Sequence, residues 1–301
     1  MRHDVLSEPK QSIYDSVTAK IIAMIEEGSG TYKAPWHVPA GMAIQPMNAA
    51  TRAEYRGINI LNLWVSAIVA GYPTPIWASY RQWQSIGAQV RKGEKGSLVV
   101  FYKRLETSAQ EDDDPDQSKG LRFVAKASWA FNAAQVEGFT PEIAETPPAF
   151  ERIAEAEALV SATGADIRHG FAQACYRRSI DAIEMPDRSW FTGTQTSSPS
   201  EAYYAVLLHE LTHWTGASHR LARVFGKRFG DEAYAMEELV AELGSAFLCA
   251  AFGISTEPRP DHATYVRSWL QVLKRDNRAI FTAARYAQEA FEHLAYLATR
   301  N

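Results

Sequence analysis

Apolar residues recur with the three-to-four spacing of helices in three segments before residue 90, and a polar, proline-containing stretch over residues 32–51 separates the first two. Ile13, Val17 and Ile21 would lie on one face of a first helix. A second apolar segment, residues 56–73, ends in a glycine and a proline, as helices commonly do. Ser79 is a helix-capping residue ahead of a third, shorter segment. The pattern therefore predicts three helices before residue 90.

A strand pattern replaces the helical one after residue 96. Residues 97–106 (SLVVFYKRLE) and 122–136 (RFVAKASWAFNAAQV) are rich in β-branched and aromatic residues. The segment between them contains the acidic run EDDDPD. Two such strands in succession predict an antiparallel hairpin, with the acidic segment at its tip.

Three prolines within residues 141–148 mark the best candidate for a domain boundary. We therefore predict a mixed α/β domain over 1–140, a linker over 141–147 and a second domain over 148–301. In the second domain a helix is followed by short strands and then by four helices. Strands and helices in separate blocks predict the α+β class.

Composition and charge narrow the function. Of the 301 residues, 46% are hydrophobic and 22% are charged, which is typical of globular proteins. No apolar run is long enough to cross a membrane, the first residues lack a leader pattern, and two cysteines are too few for a disulfide scaffold. We therefore expect a cytoplasmic protein with no membrane partner.

Outside the acidic segment 106–119, the first domain carries 14 basic and 8 acidic residues. That basic surplus favours a polyanionic ligand.

The segment HELTH, residues 209–213, forms the pattern HExxH inside an amphipathic stretch. On a helix, His209 and His213 lie four residues apart on one face and can bind one metal ion. Glu210 lies beside the pair, where it could accept a proton as a general base. Zn²⁺ is the expected ion, with Mn²⁺ or another divalent ion as the alternative.

The third metal ligand has several candidates in the sequence. His219 completes the metzincin string HExxHxxGxxH, but that class also needs a methionine turn, and Met236 lies in a helical segment. A carboxylate from that segment would instead give a His₂Glu site. Glu238 and Glu242 are four residues apart, so one could bind the metal while the other supports a histidine. We favour Glu238, with His219, Glu237 and Glu242 left open.

Residues 176–191 (YRRSIDAIEMPDRSWF) alternate like an exposed strand before a proline ends it. In a peptidase such an edge could pair with an extended peptide substrate. An ordinary edge strand without that role is an equally good interpretation.

Cations and aromatic residues are interleaved in the first domain. Arg91, Lys92 and Lys95 occupy a glycine-punctuated turn. The strand that follows contains Tyr102 and Lys103. Cations that contact phosphates, with rings on which bases stack, are what binding to single-stranded DNA requires.

Together these motifs resemble the ArdC family of plasmid-encoded antirestriction proteins. The likeness rests on YRGIN, QWQSIGAQVRKGEKG and VVFYK in the first half, and on HELTHWTG and EAYAMEELVAELGSAFL in the second. It implies an N-terminal single-stranded-DNA-binding domain, shared with TraC-type primases, and a C-terminal zincin-like metallopeptidase domain. By motif it implies His209, His213 and Glu238 as metal ligands. It also implies Glu210 as the catalytic glutamate.

The resemblance does not identify the DNA contacts residue by residue. From charge and position we predict a patch made of Arg56, Arg91, Lys92, Lys95, Tyr102 and Lys103. The implied function is protection of DNA that enters by conjugation as a single strand, with duplex DNA left open as a second ligand. The alternative is a metalloendopeptidase that cleaves a host protein and uses DNA binding for targeting.

Overall fold

The computed structural model describes residues 12–28, 36, 44–106, 121–141, 149–194, 197–226, 232–255 and 262–300. Before residue 142 it contains three helices: α1 (Ile13–Gly28), α2 (Ile58–Ala70) and α3 (Tyr80–Ser85). The strands there are β1 (Met47–Asn48), β2 (Ile76–Ala78), β3 (Gln89–Val90), β4 (Ser97–Glu106), β5 (Leu121–Asn132) and β6 (Val136–Glu137). The three predicted helices are confirmed, and Ser79 caps α3 with the reciprocal hydrogen bonds of a capping box.

The long hairpin organises the first half. Strands β4 and β5 pair antiparallel without a break from Ser97 with Ala130 to Glu106 with Leu121. In the four-stranded sheet the order is β1-β2-β5-β4, so β4 is an edge strand. The predicted antiparallel hairpin is confirmed, while its predicted acidic tip lies at 107–120, outside the described residues.

Helix α2 covers the free edge of β4 with two buried asparagines. Asn59 donates to the main-chain oxygen of Val100 at 2.8 Å and accepts from its N–H at 2.7 Å. Asn62 donates to the main-chain oxygen of Leu98. The unpaired main-chain groups of an exposed strand edge can pair with another chain. Here the two asparagine side chains form hydrogen bonds with those groups instead. This explains two amides in an otherwise apolar helix.

The second half combines one small sheet with five helices among the described residues. Its elements are α4 (Ala149–Thr163), β7 (Asp166–His169), β8 (Cys175–Arg177), β9 (Ala182–Met185), α5 (Pro199–Thr215), α6 (Glu232–Phe252), α7 (His262–Arg275) and α8 (Ala279–Arg300). This confirms the predicted α+β class. None of the described helices is long and apolar enough to span a membrane.

The sequence interpretation of an exposed strand within 176–191 is wrong for its central part. The sheet order is β7-β9-β8, so β9 is the middle strand, and all four of its residues are buried. The two edge strands are β7 and β8, and β8 ends at Arg177. The alternation of polar and apolar residues predicts a strand with one face in solvent. Strand β9 is buried on both faces, so that prediction does not hold for it.

One hydrophobic cluster contains residues from both halves of the chain. Val17, Ile21 and Ile25 of α1 belong to it together with Phe247 of α6. The ring of Trp64 in α2 lies 6.1 Å from that of Phe247. Since residues 142–148 are outside the described part, the domain limits 1–140, 141–147 and 148–301 stay a prediction. The two halves nevertheless share a core.

Candidate metal centre

Helix α5 carries both histidines and has well-defined ends. Ser198 accepts from the N–H of Glu201 at 3.2 Å, and the Glu201 carboxylate accepts from the N–H of Ser198 at 2.8 Å. Pro199 follows the cap, where its missing N–H costs nothing. Gly216 ends the helix with φ −77°, so it is not needed for a left-handed turn. A Cβ there would lie 2.7 Å from the ring of Phe225 and 2.9 Å from the Arg223 guanidinium, so both side chains would have to move.

The structure brings Glu238 of α6 against both histidines. Its Oε2 lies 3.6 Å from Nε2 of His209, and its Oε1 lies 3.7 Å from Nε2 of His213. One ligand atom from each of the three residues lies within 4.8 Å of the others, and all three side chains are buried. Such a group has the spacing that one metal ion requires.

The close approach of α5 and α6 allows Glu238 to reach both histidines. Gly244 of α6 faces Thr212 of α5, and a Cβ on Gly244 would come within 2.5 Å of the Thr212 methyl group. Real Cβ atoms do not come so near, so the helices can touch only because residue 244 is glycine. Thr212 lies between the two histidines in sequence, which places the contact beside the metal-ligand group.

Two further carboxylates lie behind the histidines. Oε1 of Glu242 is 3.3 Å from Nδ1 of His209, and Oε1 of Glu237 is 3.1 Å from Nδ1 of His213. Carboxylates in this position fix the orientation of a ligand imidazole. The pairing of Glu242 with a histidine was among the sequence alternatives, whereas Glu237 in this role was not.

Arg223 was also missed by sequence reasoning. Its Nε donates to Oε2 of Glu237 at 3.0 Å, and its Nη2 donates to Oε1 at 2.8 Å. Nη1 donates to the Thr215 hydroxyl at 2.8 Å, and Nη2 also donates to the main-chain oxygen of Thr212. Arg223 therefore joins the end of α5 to α6. It lies in an irregular segment after the helix, where no sequence pattern marks it.

Negative charge dominates the buried group. Among the described residues around the histidines, Glu210, Glu237, Glu238 and Glu242 are buried, and Arg223 is the buried cation. Burial would lower the pKa of His213, but Glu238 and Glu237 outweigh it and raise that pKa. The histidines in turn hold the pKa of Glu238 below its usual value despite burial. The group therefore favours an added positive charge.

Glu210 faces the edge strand and an open cleft. Its Oε2 accepts from the N–H of Tyr176 in β8 at 2.8 Å. The cleft has a volume of about 980 Å³, and its lining includes His209, His213, Glu238 and the residues of β8 up to Tyr176. The carboxylate thus lies between the metal-ligand group and an edge strand.

His219 is not part of this group. Its side chain is 60% exposed, and its Nε2 lies 3.3 Å from Oδ2 of Asp181. Arg220 also binds Asp181 and donates to the Tyr176 hydroxyl at 3.1 Å. Hydrogen bonds from Arg220 hold the pKa of Asp181 at about 2, although burial opposes this. His219 and its neighbours therefore tie the β8–β9 turn to the end of α5.

The predicted DNA patch is divided among several elements. Arg91, Lys92 and Lys95 lie on the turn between β3 and β4, and the two lysines are exposed. Arg91 pairs with Glu94 at 2.8 Å and donates to the main-chain oxygen of Ala134 at 2.6 Å. Arg91 thus holds the turn against the segment after β5, while the lysines face solvent.

The other predicted DNA contacts have their partners elsewhere. Arg56 precedes α2 and pairs with Glu292 of α8 at 3.0 Å. Tyr102 is 50% exposed, and partial burial together with the neighbouring Tyr14 raises its pKa to about 12. The backbone of Lys103 belongs to β4, and its side chain is outside the described part.

Exposed rings that the sequence analysis did not select adjoin the lysine turn. Trp129 of β5 is 58% exposed, and a Cβ on Gly96 would lie 3.0 Å from its Cβ. Tyr80 is 42% exposed and meets Phe131 edge-on at 6.4 Å. In the sequence, the alternation of Trp129 with Ala130 indicates that the two side chains point to opposite faces of the strand. Only the strand register shows which of these faces is exposed to solvent.

Comparison with known proteins now identifies the family. A model of the N-terminal domain of anti-restriction factor ArdC matches residues 11–131, and a model of a zincin-like metallopeptidase matches residues 154–286. The crystal structure of antirestriction protein ArdC from the R388 plasmid, in metal-free form, is 38% identical, with a TM-score of 0.76 over 96% of this chain and 98% of that one. This chain belongs to the ArdC family. An Mn(II)-bound structure of R388 ArdC matches with 37% identity and a TM-score of 0.75, over 95% of this chain and 98% of that one.

Relatives of this ArdC-family chain include proteins of very different length. Protein y4eC of Sinorhizobium fredii (strain NBRC 101917 / NGR234) is 47% identical over 96% of this chain and 93% of its own length. DNA primase TraC of Escherichia coli is 34% identical over 97% of this chain, which spans 20% of the primase. The likeness to the primase therefore covers both halves of the ArdC-like chain, and not only the first half.

Proposed function

We propose that this chain binds single-stranded DNA that enters a cell by conjugation and protects it from restriction, and that it carries a divalent-metal-dependent peptidase site. The observation that carries the proposal is the full-length match to R388 ArdC, together with a ligand group and a basic, aromatic surface on one chain.

We assign His209, His213 and Glu238 as metal ligands. Two imidazole nitrogens and a carboxylate oxygen suit Zn²⁺ or Mn²⁺, and the surplus of buried carboxylates suits a divalent cation. R388 ArdC binds Mn(II), as its structure is named, which supports a divalent ion here too. Such an ion would polarise a carbonyl and lower the pKa of a water molecule.

The protein residues supply position and proton transfer. Glu210 acts as the general base, held 2.8 Å from the Tyr176 N–H at the wall of the cleft. Apart from the Tyr176 N–H, which donates to Glu210, the β8 edge would offer its main-chain groups to an extended peptide, so the scissile bond would lie between that edge and the two histidines. Glu237 and Glu242 keep the imidazoles in place.

For DNA binding we assign the lysine turn and the rings beside it. Lys92 and Lys95 would contact phosphates, and Trp129 and Tyr80 would stack on bases. Arg91 has a partly structural role in holding the turn. Arg56, Tyr102 and Lys103 complete the predicted patch.

Conjugative transfer into a restricting recipient tests the proposal. We would compare the wild type with Lys92→Ala/Lys95→Ala/Trp129→Ala and with Glu210→Gln, using Arg168→Ala as a control away from both sites. The triple variant is expected to weaken binding to a single-stranded oligonucleotide about tenfold or more and to lose protection, because stacking and phosphate contacts are removed. Unchanged protection and unchanged DNA binding would refute the assigned surface.

The second candidate is a metalloendopeptidase that cleaves a host protein and uses DNA for targeting. The contact between Glu210 and the edge strand within a large cleft favours it. In that case Glu210→Gln loses protection while it still folds, binds metal and binds DNA. If Glu210→Gln protects fully, DNA coverage alone accounts for antirestriction.

A further inference from the structure

Arg178 lies immediately beyond the edge strand that faces Glu210. The strand β8 ends at Arg177, and Tyr176, which donates to Glu210, is only two residues before Arg178. Arg178 lines the cleft and is exposed to solvent. A peptide that pairs with β8 across the metal-ligand group would therefore pass Arg178 next.

An aromatic ring connects Arg178 to the metal-ligand group. The Arg178 guanidinium carbon lies 4.8 Å from the centre of the Phe225 ring. The same ring lies 6.4 Å from the ring of His213 and 6.4 Å from that of Tyr176. Gly216 admits Phe225 to this position, since a Cβ would meet its ring at 2.7 Å. The guanidinium is thus held at the wall of the cleft against an aromatic ring.

Unlike the neighbouring arginines, Arg178 has no carboxylate partner within the described part of the chain. Arg177 pairs with Glu184 at 2.5 Å, and Arg220 pairs with Asp181. Apart from the two histidines, Arg178 is the cationic side chain among the described residues that line the cleft. A guanidinium stacked on a ring keeps its N–H edge available for a bidentate carboxylate.

We propose that Arg178 is a specificity-determining residue that binds an acidic side chain of a peptide substrate, next to the bond placed between β8 and the metal-ligand group. The inference rests on the proposed peptidase function and names its substrate class: peptides with Asp or Glu on one side of the cleavage point. Trp190, which is 63% exposed, and Pro186 also line the cleft and add apolar surface to it.

The test separates peptide binding from cleavage. Fluorescein-labelled peptide pools enriched in Asp and Glu, in Lys and Arg, or in Ser and Thr are added to the full-length Mn(II)-loaded Glu210→Gln protein, and anisotropy measures binding. Cleavage of the same pools by the protein with Glu210 intact is followed by mass spectrometry. Each measurement is repeated with Arg178→Ala, Arg178→Glu and the control Arg168→Ala, whose wild-type residue is exposed and pairs with Asp166 away from the cleft.

We expect the acidic pool to bind at least about tenfold more tightly than the neutral pool, since a charge-assisted bidentate pair is strong. Arg178→Ala should abolish the preference, Arg178→Glu should shift it to the basic pool, and Arg168→Ala should leave it unchanged. A preference in binding with no cleavage would support Arg178 and refute the peptidase function.

Results of three kinds would overturn the inference. The first is cleavage without charge preference, which leaves the peptidase function standing. The second is a preference that Arg178→Ala does not alter, or no binding of any pool. The third is that Arg178→Ala loses as much affinity for a single-stranded oligonucleotide as it loses for the acidic peptide pool. That result would make Arg178 a phosphate contact.

Discussion

Three glutamates of one helix take three different positions around two histidines. Glu238 faces Nε2 of both, Glu242 lies behind His209, and Glu237 lies behind His213. Adjacent residues on a helix point about 100° apart, so the neighbours Glu237 and Glu238 reach different nitrogens of His213. The motif alone could not distinguish these positions, because it does not state how α6 is rotated against α5.

Glu237→Gln is expected to weaken metal binding about ten- to a hundredfold, the usual effect of losing the partner of a ligand imidazole. The amide cannot balance Arg223, so the orientation of His213 is lost as well. Isothermal titration with Mn(II) or Zn²⁺ measures the effect. Glu232→Gln is the matched control, because Glu232 is an exposed residue of the same helix that pairs with Arg275. Equal affinity in both variants would contradict the supporting role of Glu237.

At the scale of elements, the crossing of α5 and α6 decides whether the two histidines and Glu238 come together. Helix α5 contains the amphipathic stretch around HELTH, and α6 contains the segment around Met236 that the sequence also predicts to be helical. Their contact depends on Gly244 and Thr212, which no local pattern identifies. Helices pack where their surfaces are complementary, and here complementarity needs a residue without a side chain.

Gly244→Ala is expected to separate the helices, lower the free energy of unfolding by about 1–3 kcal/mol and weaken metal binding. Overpacking is the cause, since the new methyl group would overlap the Thr212 side chain. Urea denaturation and metal titration measure the two effects. In combination with Thr212→Ala the loss should be partly recovered, because the closest atoms are removed. If the two changes are simply additive, the proposed contact is not the reason for glycine at 244.

At the scale of the molecule, the two halves are joined by an apolar core. Helices α1 and α2 lie in the same cluster as α6, α7 and α8. The ion pair of Arg56 with Glu292 adds little, since both side chains are exposed to solvent. DNA binding by the first half and chemistry in the second would therefore take place on one connected body.

A chain cut within the predicted linker should stay assembled. Fragments 1–145 and 146–301, when co-expressed with a tag on one, are expected to co-purify because each alone exposes part of the shared cluster. Ile21→Asp should abolish co-purification, since Ile21 is fully buried in that cluster, whereas exposed Glu27→Gln should not. Independent fragments would mean that the halves are separate folding units.

The sequence by itself determined the local features: the helices, the hairpin, the capping residues and the HExxH pair. Each depends on residues within about four positions or on a two-residue alternation, so the pattern contains the necessary information. The tertiary structure alone decided that Glu238 rather than His219 meets the histidines, and that Arg223 supports Glu237. It also decided that β9 is the central strand with β8 at an edge, and that both halves share a core. These outcomes depend on contacts between residues distant in sequence, where packing volume and buried charge select the partner.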